Sequence, residues 1–308
     1  MTLHPSFIGC DIAKHHLDLF DESRGESFRI ENTAAAITAW LSLLDTATAF
    51  VAFEATGSYD RRLQRALEQA GCRFVRVNPA RARDFARATG RLAKTDAIDA
   101  QMLAAMARML ALPPDAASDP ARNALVLLHK RRDQLVEMRA VERVRHTETD
   151  DSSGSLARHL AWLDAEIVAI ESHIAQTLRD NETLARMQAL LRTAPGVGPV
   201  TANTLLALMP ELGHCSAKAI AALAGLAPFN NDSGRRRGQR SIRGGRSRVR
   251  RALYMAALAA MRTSPRFKAF YDTIKARRAA AKIAIVAVAR KLLTTLNAMV
   301  KTNTTFQT

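Results

Sequence analysis

The chain has 308 residues, 48 % of them hydrophobic, which suffices for two domains with proper cores and excludes general disorder. Lysine and arginine outnumber aspartate and glutamate 45 to 29, so a formal charge of +16 and a pI near 10.7 call for a polyanionic partner, nucleic acid first. No membrane association is expected, because the most apolar stretch, near 283–289, is flanked by Lys282, Arg290 and Lys291, short of the ~20 residues that a span needs.

The first residues carry no signal-peptide core, and Cys10, Cys72 and Cys215 form neither a CxxC pair nor a disulfide framework, so a reducing cytoplasm is the expected location. Residues 7–11 and 17–20 read as a strand hairpin leading into a third strand at 27–31. A helix follows over 33–44, with Asn32 or Thr33 as N-cap, then a buried strand at 49–53. A helix at 61–70 with Gly71 as its C-terminal glycine and a strand at 73–77 complete the pattern. Three antiparallel strands followed by alternating helix and strand is the ribonuclease-H-like order.

Pro113, Pro114 and Pro120 mark a boundary. Beyond it Leu156, Leu160, Leu163, Ile167, Ile170 and Ile174 repeat at spacings of 4, 3, 4, 3 and 4, the seam of a coiled coil or long helical hairpin; Leu125, Leu128, Leu135 and Met138 hint at an earlier helix. From Leu190 the chain reads as helical, without convincing strands. Residues 193–202 (TAPGVGPVTA) resemble the hairpin of helix-hairpin-helix modules, where backbone amides beside Gly196 and Gly198 approach a phosphate. The expected organisation is an α/β domain at 1–115, a coiled-coil or helical arm at 116–189 and a mainly α-helical domain at 190–308.

Four carboxylates stand out. Asp11 ends the apolar run FIGCD, Glu54 ends FVAFE, and Asp96 and Asp99 lie at i and i+3 in KTDAIDA, on one face of a helix. Hard divalent cations such as Mg²⁺ take carboxylate oxygens, and one or two ions in such a set assist phosphodiester chemistry. A second candidate is Ser233, which precedes Gly234 among arginines: nine arginines and no acid occur between Arg235 and Arg251. Its hydroxyl could attack a phosphodiester whose charge Arg235, Arg236, Arg237, Arg240, Arg243, Arg246, Arg248 and Arg250 stabilise. On chemistry alone the DSG turn reads at least as well as part of a phosphate-binding loop, and Ser241 and Ser247 are equal rivals.

At these residues the sequence resembles the DEDD transposase family of bacterial insertion sequences. The matching stretches, in chain order, are IGCDIAK (8–14), EATGSY (54–59), VNP (77–79), KTDAIDA (94–100), PGVG (195–198), AGLAP (224–228), DSG (232–234) and RRALYM (250–255). The resemblance implies a RuvC-like domain whose acids are Asp11, Glu54, Asp96 and Asp99, and a helical transposase domain whose nucleophile is Ser233. It further implies a coiled-coil segment, one or two Mg²⁺, donor and target DNA, a bridge-type guide RNA, and homo-oligomers that are dimeric and, in synapsis, tetrameric, with Lys94 on the nucleic-acid side. Rival readings are a metal-dependent junction resolvase or nuclease that hydrolyses DNA with no covalent intermediate, and a catalytically inactive nucleic-acid-binding protein.

Overall fold

The computed structural model describes residues 6–307 except 56, 58, 91–95, 116–118, 230–237, 239 and 278–279, and for residues 96 and 97 the backbone alone. The chain divides into two compact units, Met1–Ser118 and Asp119–Thr308.

The first unit is built on five strands: β1 (Ser6–Ile12), β2 (His16–Asp21), β3 (Glu26–Glu31), β4 (Ala49–Glu54) and β5 (Arg73–Val77). Their order in the sheet is β3-β2-β1-β4-β5, with β1 to β3 antiparallel and β4 and β5 parallel to β1. Side chains of a strand alternate between faces, and here both faces are covered. Ile8, Cys10, Leu17, Leu19, Val51 and Phe53 pack under α1 (Ala34–Leu41) and α2 (Arg61–Gln69). Phe50, Ala52, Val75 and Val77 pack under α3 (Pro79–Ala88) and α4 (Asp96–Met109), through Ala82, Met102, Leu103 and Met106.

The N-cap of α1 is Thr33, whose side chain accepts from Ala36 N at 3.3 Å. Gly71, at φ +65°, closes α2 as expected, because a left-handed residue lets its amide turn back to Glu68 O. Helix α3 has no counterpart in the sequence reading. Its signal is Asn78-Pro79, a side-chain cap accepting from Ala80 N at 2.8 Å followed by proline at the first helical position.

The second unit opens with two long helices, α5 (Pro120–Glu148) and α6 (Ser155–Arg179). Pairs Arg132–Glu171, Arg139–Asp164 and Glu142–His159 descend on one helix as they climb on the other, so the two are antiparallel. Exposed ion pairs contribute little; the seam of Leu135, Leu163 and Ile167 holds the hairpin. Met138, expected on the apolar side, is 45 % exposed.

The larger core joins Leu125, Ile174 and Leu178 from this hairpin to α7 (Glu182–Arg192), α8 (Pro199–Leu208), α9 (Ala217–Leu223), α10 (Ser247–Thr263), α11 (Pro265–Ala276) and α12 (Ala281–Thr302). Two corrections arise here. A short ribbon, β6 (Pro228–Phe229) with β7 (Ser241–Ile242), interrupts the helices. Helix α12 runs unbroken for 22 residues and contains an 18-residue window with a mean hydropathy of 1.6, long and apolar enough to cross a membrane by length and composition. Its charges do not interrupt it because Lys282 and Lys291 lie on its exposed side, while Val288, Leu292, Leu293 and Leu296 are buried in the unit's core.

Candidate active site and nucleic-acid surface

Strand alternation places two of the four predicted acids on one sheet face, the face on which α4, the helix of the other two, packs. Phe7 packs with Phe50 on the α4 side, so Gly9 and Asp11 follow it there, as Ala52 and Glu54 follow Phe50. Cys10 is in register with Phe53, which makes Asp11 and Glu54 the next residues along two neighbouring parallel strands. At Gly9 a Cβ would lie 1.8 Å from Ala100 O: only glycine admits the backbone of α4 this close, and Asp99 is the residue before Ala100. None of Asp11, Glu54 and Asp99 is unpartnered. Asp96 opens α4, but its side chain, like Lys94, lies outside the described residues.

The register adds an acid that the sequence reading passes over. Asp18 stands directly opposite Asp11 on β2, and Arg29 opposite Asp18 on β3, so Glu54, Asp11, Asp18 and Arg29 form one row across four strands. Two carboxylates face to face repel. Arg29 offsets this by gripping Asp18 with Nε at 2.8 Å and Nη2 at 3.0 Å, and His16 lies 3.4 Å away. Burial pushes the Cys10 thiol well above its ordinary range, and the charges of Asp11 and Asp18 push it the same way, so Cys10 stays a neutral thiol. Among the described residues no group of three or more His, Cys, Asp or Glu is arranged to hold a metal ion. The predicted acids offer carboxylate oxygens, which fit a hard divalent cation rather than a soft one.

Asn32 is a second missed residue. Its buried amide donates to Ala13 O at 2.9 Å and to Tyr59 O at 3.2 Å, tying the turn after β1 to the segment after β4, beside the ends that carry Asp11 and Glu54.

In the helical unit Ser233, Arg235, Arg236 and Arg237 lie outside the described residues, and the two short strands that flank them in sequence form a base held by several contacts. β6 pairs with β7, and behind them Gly225 meets Gly244 and Gly245 backbone to backbone, where a Cβ on Gly245 would sit 2.2 Å from Gly225 N. Arg246 forms two bonds of 2.6 Å with Glu211. Burial pushes the Glu211 carboxyl up, but the bonds and charge of Arg246 outweigh it and hold it below the usual carboxylate range. Arg250 donates to Gly244 O at 2.7 Å, Arg243 covers the Phe229 ring at 4.8 Å, and Arg248 lies 3.4 Å from Asp133. Arg240 is exposed, as are Ser241 and Ser247.

A family profile described as Transposase, of the DEDD IS110 type, matches residues 8–149. A second, described as Transposase IS116/IS110/IS902 family, matches residues 188–272. The chain belongs to the DEDD transposase family of bacterial insertion sequences. Pilin gene-inverting proteins of Moraxella lacunata and Moraxella bovis are each 28 % identical to this transposase over 320 residues, 98 % of its length and 97 % of theirs. A 43.6 kDa protein of insertion element IS110 from Streptomyces coelicolor is 30 % identical over 155 residues, 50 % of this chain and 37 % of that protein. The transposase is therefore a DNA-recombining enzyme, and membership of the DEDD class implies dependence on a divalent metal.

Within the transposase the two glycines of the 193–202 turn differ. Gly196, at φ +77°, abuts α10, where a Cβ would lie 2.3 Å from Ala256 O. Its close approach is to protein backbone. Gly198, before α8, has open space around it, so the room for a phosphate is on its side.

Proposed function

We propose that this transposase breaks and rejoins DNA through a covalent phosphoserine at Ser233, with Asp11, Glu54, Asp96 and Asp99 holding one or two Mg²⁺. The observation that carries the reading is the placement of Asp11 and Glu54 side by side at neighbouring strand ends, on the sheet face that α4 covers with Asp99. The sheet order β3-β2-β1-β4-β5 supports a ribonuclease-H-like, RuvC-like assignment for this unit. Bound Mg²⁺ would supply charge stabilisation at the reacting phosphate. The Ser233 hydroxyl would form a bond to phosphorus, its proton passing to a base, while the bond to one deoxyribose oxygen breaks and that oxygen leaves as a hydroxyl.

Full-length similarity to proteins named as pilin gene-inverting favours this over hydrolysis. Inversion needs broken ends joined again, and a phosphoserine retains the ester that a water-derived product loses. The further elements of the reading are a homo-oligomer in which the acids of one subunit meet the serine of another, an arm formed by residues 116–189, a bridge-type guide RNA, and a cytoplasmic location.

The test is covalent trapping on a suicide DNA substrate. Wild type should form a protein–DNA adduct that Ser233→Ala abolishes and Ser241→Ala and Ser247→Ala retain. An adduct that survives in Ser233→Ala removes the serine assignment, and cleavage with free ends and no adduct in any variant returns the nuclease reading.

A further inference from the structure

The helical unit contains a cavity of about 450 Å³ between α5, α6, α7 and the start of α8, within the roughly 300–1,000 Å³ range of small-ligand sites. Its apolar lining comes from Ile174, Ala175 and Leu178 of α6, Ala185 of α7 and Val200 of α8. The polar lining carries three guanidinium groups, Arg132, Arg179 and Arg192, against one carboxylate, Glu171, which Arg132 already binds at 2.6 Å. Two further lining residues are amides, with Gln188 Nε2 donating to Asn203 Oδ1 at 2.7 Å. That bond leaves Gln188 Oε1 as an acceptor and Asn203 Nδ2 as a donor. Turning both amides leaves the same combination.

A ligand complementary to this cavity is flat and apolar on its faces, presents a donor and an acceptor along one edge, and carries negative charge at its rim. We infer that the cavity receives one unpaired nucleotide, splayed out of the nucleic acid bound by the helical unit. The base would lie against the apolar lining, its edge on the Gln188–Asn203 pair, as side-chain amides read adenine in duplexes and unstacked bases in loops. Arg179 and Arg192, both exposed, would meet the flanking phosphates. The inference rests on the transposase binding nucleic acid and not on the serine chemistry.

Photocrosslinking of the full chain tests it, with duplexes that carry one 5-iodouracil nucleotide in a single-nucleotide bulge. The nucleotide is a deoxyribonucleotide in a DNA arm and a ribonucleotide in an RNA arm. Adducts on peptides spanning residues 174–203 are expected in at least one arm, and the arm that reacts identifies the source. Filling the cavity with Ala185→Phe should remove those adducts. Arg192→Ala, at an exposed position where folding is not at risk, should lower the preference for bulged over fully paired duplex about tenfold, the equivalent of one charge-assisted hydrogen bond. Adducts that map elsewhere in both arms, or an unchanged preference in Arg192→Ala, overturn the proposal. Binding of the fully paired duplex, measured alongside, reports separately on the nucleic-acid reading.

Discussion

The two units carry their chemistry in opposite ways. In the sheet unit the candidate acids sit on regular backbone, where strand register and one helix contact decide which side chains share a face. In the helical unit the candidate nucleophile lies, in sequence, between two short strands, and tertiary contacts decide how the base formed by those strands is held. Three glycines and several arginines whose partners are protein atoms secure it. A run of arginine is thus not one functional object: Arg246 and Arg250 brace the base, while Arg240 is exposed.

The largest effect that would break this contrast is expected from the row of acids. Asp11→Ala should lower strand cleavage by about a thousandfold or more while leaving DNA affinity within a few-fold, read by cleavage and binding assays on the same preparation. Equal loss of binding would make the row a DNA-supporting structure instead. Next comes Gly9→Ala, which places a methyl group against Ala100 O and must push α4 away. A loss of about 3 kcal/mol in chemical denaturation is expected, together with lower activity, since Asp99 moves with the helix.

Arg246→Ala and Arg240→Ala sharpen the division within the arginine run. Arg246→Ala should cost about 1 kcal/mol of stability, discounted for the partial exposure of its pair, with the salt dependence of DNA binding unchanged. Arg240→Ala should leave stability alone and reduce the slope of log affinity against log salt by about one.

The smallest effect concerns pH. Burial holds the His129 imidazole below its ordinary value of 6.5, and the Asp133 carboxylate, 3.6 Å from Nδ1, offsets this in part. Thr204 donates its hydroxyl proton to Val200 O at 2.7 Å, so His129 Nε2 is the donor in the 2.7 Å bond to Thr204 Oγ1. The unfolded chain takes up the proton first, so the stability from the neutral ring is present above pH 6.5 and is lost as pH falls below it. Melting temperature should decline on acidification from pH 7 to 5.5, and His129→Gln should flatten that decline.

Much of the sheet unit was legible because a short continuous apolar run ending in an acid is a local pattern: FIGCD and FVAFE announce both a strand and where its charge emerges. Asp18 instead lies inside HLDLFD, and its place opposite Asp11 depends on hairpin register, which the residues between the strands do not state. Asn32 read as a helix cap because capping is the usual task of asparagine before an apolar helix; that it bridges two loops is a tertiary fact. The brace at Gly225, Gly244 and Gly245 was hidden for a related reason. Each glycine alone reads as a turn, and only the fold brings residues 20 apart into backbone contact.

That brace also bears on how the transposase can be varied. A side chain at Gly225 or Gly245 would meet both a positive φ and opposing backbone, so mutagenic libraries should hold these two glycines fixed. Gly244, at φ +65° with open space around it, opposes a side chain by conformation alone and is the one of the three that asparagine could replace.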